Sequence, residues 1–302
     1  MKRKVGSSNQ GFRSIGDKPS LALLKELGAD TVDFFTNAES VANPDSIYAR
    51  SDADIVAYYR DVREYADSIG IEFSQTHGRL RTYMNVPELD EICLENARRD
   101  LLAAATLGVP YCVMHGVTTS EMGADAAPEL MRNLNYEVFS KILPWAKEYG
   151  VVVASETFGY CDRRSVPEFF ANVKEFRRTY DRITADGDNA DFFKVCIDTG
   201  HVNCAIQFYD KVSVGDFIRA MGDSVVCLHM HDNNGLTDQH RLIGTGTVDW
   251  QDTFNALDEV GYKGVYNLEV GYENFCEGFE RECAAFAIKH MKHLVAKHFL
   301  EK

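Results

Sequence analysis

The chain has 302 residues, 46 of them acidic and 32 basic, for a formal net charge of −14. This balance argues against a nucleic-acid partner, which needs a basic face to track phosphates, and the short basic start Met1–Lys4 reads as a solvated terminus. An apolar content of 45% over this length supports one large core; with no signal peptide and no apolar run of about 18 residues, a cytoplasmic protein with no membrane partner is expected.

In chain order, short β-branched runs alternate with longer helical patterns about eight times. The expected strands are Lys4–Ser8, Thr31–Phe35, Ile71–Thr76, Tyr111–His115, Val151–Glu156, Lys194–Asp198, Val225–His229 and Val265–Glu269. They are nearly continuous in apolar residues, as strands buried on both faces should be. Between them, Ala53–Ile69 puts Ile55, Tyr58, Tyr59, Val62, Tyr65 and Ala66 on one face, and Leu89–Leu107 and Leu130–Tyr149 behave alike. Gly28, Gly70, Gly108, Gly150 and Gly261 stand where helices should end. Arg79–Glu88 and Thr184–Asp191 look like insertions.

Alternation of this kind implies a parallel sheet, and eight units favour a closed barrel: α/β class, a (β/α)8 TIM barrel in a single domain spanning 1–302. An open nucleotide-binding sheet is disfavoured, because Gly6-Ser7-Ser8-Asn9-Gln10-Gly11 is a poor phosphate loop. None of the eight cysteines forms a C-x-x-C pair; Cys112, Cys196 and Cys227 read as small buried hydrophobes.

Active sites of such barrels lie at the strand C-terminal ends. Here those ends carry His77, His115, Glu156, Asp198 and His201, then His229-Met230-His231-Asp232-Asn233, the loop Asp238-Gln239-His240-Arg241, and Glu269. Converging carboxylates are costly to bury unless a cation offsets them. Mixed His/Asp/Glu ligation suits Mn2+, Zn2+ or Co2+. The expected ligands are Glu156, Asp198, His229 and Glu269. His290, His293 and His298, at near-helical spacing, are expected at a surface or helix end.

On the stretches Ile197–His201, His229–Asn233 and Asp238–Gly246 leading into Val248-Asp249-Trp250, the chain resembles the xylose isomerase-like TIM-barrel superfamily over nearly its whole length. That group contains sugar isomerases, ketose 3-epimerases, inosose dehydratases and the endonuclease IV type of nuclease. In epimerase-like members one ion sits on residues matching Glu156, Asp198, His229 and Glu269, and the residue matching His201 contacts substrate. They usually carry Arg four residues before the seventh-loop glycine; here that position is His240, and Arg241 follows. The nuclease-like members use nine ligands for three zinc ions, and His77, His115, Glu156, Asp198, His201, His229, Asp238, His240 and Glu269 match them in type.

The resemblance implies a small sugar or polyol substrate, with Glu156 and Glu269 moving a proton beside a metal-bound carbonyl. His77, His115, His201, Asp238 and His240 would be substrate contacts or additional metal ligands, and Arg241 a substrate contact. A lyase or dehydratase using the same site, a trinuclear zinc phosphodiesterase on abasic DNA, and a non-catalytic sugar-binding barrel are the alternatives. Phe34, Phe35, Tyr83, Phe158 and Tyr160 would form an aromatic entrance. Barrels of this group often form homo-oligomers, though no sequence feature fixes an interface.

Overall fold

The computed structural model describes residues 3–78, 83–161, 165–209, 212–274 and 277–300. Arg79–Thr82, part of the expected insertion, and Cys276 lie outside them.

Eight parallel strands form the expected barrel. They are β1 (Val5–Ser8), β2 (Thr31–Phe35), β3 (Glu72–His77), β4 (Tyr111–Met114), β5 (Val152–Glu156), β6 (Phe193–Asp198), β7 (Val225–His229) and β8 (Tyr266–Leu268). Neighbours in sequence pair in order, and β8 pairs with β1. A single bridge, Met230 to Leu268, closes the ring between β7 and β8. Each strand limit agrees with the sequence expectation to within one residue.

A helix follows each strand: α1 (Asp17–Glu26), α2 (Asp52–Ile69), α3 (Pro87–Leu107), α4 (Pro128–Tyr149), α5 (Val173–Thr184), α6 (Val214–Met221), α7 (Trp250–Glu259) and α8 (Glu280–Leu300). Local chemistry sets their ends. Ser51 and Asp54 form a reciprocal capping box on α2. Pro87 and Pro128 occupy first-turn positions of α3 and α4, where a missing N–H costs nothing. The segment expected as the insertion Thr184–Asp191 ends in a short helix, Asn189–Phe192.

The α2 face buries Ile55, Tyr59, Val62 and Ala66 against the barrel, while Tyr58 sits at the rim and donates to Asp17 (2.6 Å). The expected aromatic entrance is corrected here for two residues. Phe34 points outward into the helix layer, edge-on to Tyr59 and Phe73, and Tyr83 bonds Glu137 and Lys141 of α4. Phe34 faces away because an odd step along a strand turns a side chain to the opposite face, and Tyr83, in the loop before α3, is held on α4 by these bonds. His298 stands at a helix end as expected, in the last turn of α8, and is buried there, bonded to Asp258 of α7 (2.9 Å) and stacked on Phe254, so it joins two helices. His293 stays exposed and His290 stacks on Phe286.

The barrel interior has its own small apolar cluster, Val113, Ala154, Cys196 and Cys227, separate from the strand–helix shell. With Cys112, these two cysteines are buried, as expected. No described helix is long and apolar enough to cross a membrane.

Gly150 ends α4 in the left-handed region (φ 68°), and an added Cβ there would meet no atom within 4 Å. Gly150→Ala therefore isolates the conformational penalty. We expect a loss of about 1 kcal/mol in urea unfolding; no loss would mean that the cap conformation is not what ends the helix.

Candidate metal centre

Strand geometry builds the site. Side chains two residues apart share a face. The cluster Val113, Ala154, Cys196 and Cys227 is therefore followed, two residues on and facing the same way, by His115, Glu156, Asp198 and His229. Each strand changes from an apolar floor to a polar tip as it reaches the barrel mouth. His77 and Glu269 join from β3 and the end of β8.

One donor atom each from Glu156, Asp198, His229 and Glu269 lie within 4.8 Å of one another, and all four residues are buried. That spread is near the spacing imposed by ion–donor bonds of roughly 2.0–2.2 Å. Glu156 Oε1 is 2.9 Å from His229 Nδ1, and its Oε2 is 2.7 Å from His115 Nε2. Glu269 Oε2 is 3.5 Å from the same His229 Nδ1, and its Oε1 is 2.9 Å from His77 Nδ1. Two carboxylates thus flank one imidazole nitrogen, and each leans on its own second histidine. Among the described residues, both ring nitrogens of His77 and Nδ1 of His115 are buried without a hydrogen bond of normal geometry, the contact of His77 Nδ1 with Glu269 being one of charge and distance only; such orphans are what a ligand or cation would satisfy. This donor set fits a divalent ion.

A second group, His201, His231, Asp238 and His240, lies beside the first. Asp198 joins the two. It caps the short helix Thr199–Ala205 through His201 N–H (2.6 Å), and its Oδ1 is 3.0 Å from His231 Nε2. The His231 ring occupies the space a side chain at Gly200 would need, and it stacks on His240 at 3.8 Å. His201 and His240 both reach Asp238 Oδ2 at 3.2 Å. His240 adopts a left-handed backbone (φ 44°), fixed by Gly271 N–H on its carbonyl and by its Nδ1 on Glu269 O (2.7 Å). Asp232 organises the loop that presents Asp238 and His240. Its carboxylate accepts from the N–H groups of Asn233, Gly244 and Val248 and from Trp250 Nε1.

Two further groups overlap the first: His77 with His115 and Glu156, and Asp33 with His77 and His229. The structure therefore brings together all nine residues matched in type to the three-zinc set. Arg241 pairs its backbone with Asp232 and turns its guanidinium toward Thr245 O (3.5 Å). Of the aromatic residues, Phe158 tilts against His115 (4.6 Å) and lies edge-on to His201 (4.9 Å), Phe35 lies edge-on to His77, and Tyr160 stacks on Phe208. Sequence reasoning missed Asp33 and gave His231 no role. His231 stood inside a motif already quoted, two residues after His229 and so on the same face, which was the available signal.

The electrostatics follow from this crowding. Burial opposes ionisation of Glu156, yet the His229 and His115 rings hold it well below the usual carboxylate range. Burial likewise opposes ionisation of Glu269, and His229 and His77 hold it low. Burial would lower His229, but Cys196, Glu269, Glu156 and the bond to Asp33 push it well up. His201 is pushed up against burial by Asp198 and Asp238, and His240 is pushed up to about 10 by Asp238. Protons on these rings stand where a cation's charge would otherwise stand.

The family model for xylose isomerase-like TIM barrels matches residues 21–294. An uncharacterised protein of Methanocaldococcus jannaschii is 26% identical over 182 residues, 59% of this chain and 57% of that protein. An inosose isomerase of Bacillus velezensis is 24% identical over 203 residues, 65% of this chain and 66% of that protein. The chain thus spans between half and two thirds of the length of these curated relatives. Among solved structures, a D-tagatose 3-epimerase-like protein superposes with a TM-score of 0.74 at 20% identity, covering 99% of each chain. An IolI protein with a bound zinc atom superposes with a TM-score of 0.72 at 17% identity, covering 98% of this chain and 99% of that one. At such identities the structures speak for the fold.

A histidine whose folded pKa is raised binds more protons in the folded state between its ordinary value, about 6.5, and the raised one. Its stabilisation is fully present below that ordinary value and is lost as pH rises through the folded pKa. The depressed carboxylates act only in acid, where their stabilisation is lost as pH falls through their folded values. The metal-free protein should therefore lose thermal stability between pH 7 and 10, as read by melting in chelator. A midpoint that climbs across that range would contradict the site electrostatics.

Proposed function

Because the chain belongs to the xylose isomerase-like TIM-barrel family, we propose that it is a divalent-metal-dependent isomerase or epimerase of a small sugar or keto-polyol. The observation that carries this reading is the pair of buried carboxylates, Glu156 and Glu269, flanking His229 Nδ1 at 2.9 and 3.5 Å. The inosose isomerase and epimerase-like relatives support the same substrate class.

Glu156, Asp198, His229 and Glu269 would hold the ion. When bound, it supplies Lewis-acid stabilisation of charge developing on a carbonyl oxygen and its neighbouring hydroxyl. The protein's own part is proton movement and orientation. One of the two glutamates removes the proton α to the carbonyl, and the other returns it. Each has a histidine partner for its outer oxygen, His115 behind Glu156 and His77 behind Glu269. Such partners stabilise the carboxylate before transfer and fix its direction. His201 and His240 orient substrate oxygens, and Phe158 supplies an apolar wall beside His115. A recess of about 100 Å3 next to Glu269 and His240, lined among others by Ser8, Gln10, Glu273 and Asn274, offers polar groups to the remaining hydroxyls.

The second donor group, His201, His231, Asp238 and His240, is compatible with a further ion. Three ions would favour the phosphodiesterase reading, against which the net charge of −14 weighs.

The test is a screen of keto-sugars and keto-polyols for solvent deuterium incorporation, alongside a metal count per chain. We expect exchange at one carbon, abolished by chelation. Glu156→Gln should lower turnover by roughly 10^2–10^4-fold, the usual range for losing a general base, with the fold intact. Full activity in that variant, or three bound zincs with cleavage of abasic DNA, would overturn the proposal.

A further inference from the structure

Asp33 is a fully buried carboxylate on β2, and neither the family pattern nor the proton-transfer scheme above uses it. Ordinary alternation along β2, which pairs with β1 in unbroken register, turns it into the barrel opposite the outward Phe34, and a bulge in the neighbouring β3 sets what it meets there. The β2–β3 register shifts between Val32 and Asp33, so that Val32 faces Phe73 and Asp33 faces Gln75. Ser74 is skipped and donates its hydroxyl to Val32 O (3.1 Å). Asp33 Oδ2 then accepts from His229 Nε2 (2.9 Å), Asn267 Nδ2 (3.0 Å) and Gln75 Nε2 (3.3 Å).

An ionised carboxylate can only accept, so the Nε2 atom of His229 must carry the hydrogen. The other nitrogen, Nδ1, faces Glu156 and Glu269. We propose that Asp33 is the positioning residue of the centre: it holds His229 in the Nε2–H form and thereby aims the Nδ1 lone pair at the ion. This rests on the metal-centre reading. A histidine ligand held on its far side by a carboxylate is oriented and made more basic.

Asp33 also appears in a donor group with His77 and His229, and its Oδ1 is buried without a hydrogen-bond partner among the described residues; it is Oδ2, the oxygen toward His229, that is ill placed for a ligand role. Three N–H donors already point their positive ends at Oδ2. A cation there would compete with all three.

The experiment uses the full chain, stripped of metal and titrated with Zn2+ and Mn2+ by calorimetry. The ring nitrogens of His229 are read by long-range proton–nitrogen NMR. Asp33→Ala should bind with unchanged stoichiometry but about 10–100-fold more weakly, and His229 should lose its fixed Nε2–H form. Asp33→Asn, which keeps an acceptor but loses the charge, should fall between. Affinity within twofold of wild type in folded Asp33→Ala would overturn the proposal, as would the loss of one ion per chain, which would make Asp33 a ligand. If Asp33→Ala fails to fold, Asp33→Asn decides by the same twofold criterion. Wild-type protein that binds neither ion overturns both this proposal and the metal-centre reading; wild-type binding with unaffected variants removes only the role of Asp33.

Discussion

Too many acceptors meet at one point in this barrel. Glu156, Asp198 and Glu269 bring carboxylates, and Asp33 claims the only hydrogen that a neutral His229 would have. The remaining nitrogen of His229 then faces two carboxylate oxygens with a lone pair of its own. Such a set repels itself unless positive charge sits within it. Protons on the histidines can supply that charge, and so can a divalent ion. Much of the surrounding structure can be understood as holding these groups in place despite their repulsion.

The scaffold does so by segregation along each strand. The floor, Val113, Ala154, Cys196 and Cys227, is apolar and closed. The polar tier begins two residues later on the same face. Because the floor excludes water, the tier gains little screening from below, and its internal pairings carry more weight. Those pairings are distributed among different strands: His115 with Glu156, His77 with Glu269, His231 with Asp198, Asp33 with His229. The position of each functional group therefore depends on strand register, which the ladder and the helix layer fix together.

The strand–helix alternation, and with it the barrel, could be read from the sequence because a buried parallel strand leaves a plain apolar run and a polar terminus. The groups at those termini, from His77 to Glu269, could be read for the same reason. Asp33 could not. It lies in the middle of Thr31–Phe35, not at its end, so a reading confined to strand termini passes over an acidic residue that alternation with Phe34 turns inward. Phe34 and Tyr83 were misplaced at an entrance because loop proximity was weighed above facing; for His298 the spacing gave the helix end but could not separate a solvent face from the face packed on α7.

The contact between Gly200 and the His231 ring also constrains the order in which this site could change. A Cβ at position 200 would lie 1.9 Å from the ring, so no side chain can be gained there while His231 stands. A smaller residue at 231 would free the space but strip Asp198 of a partner. Change at position 200 must therefore wait for change at 231, and the passage goes through an intermediate with a weakened Asp198. Two residues far apart in function, a glycine in the first turn of a short helix and a ring beside a carboxylate, are bound to one mutational history.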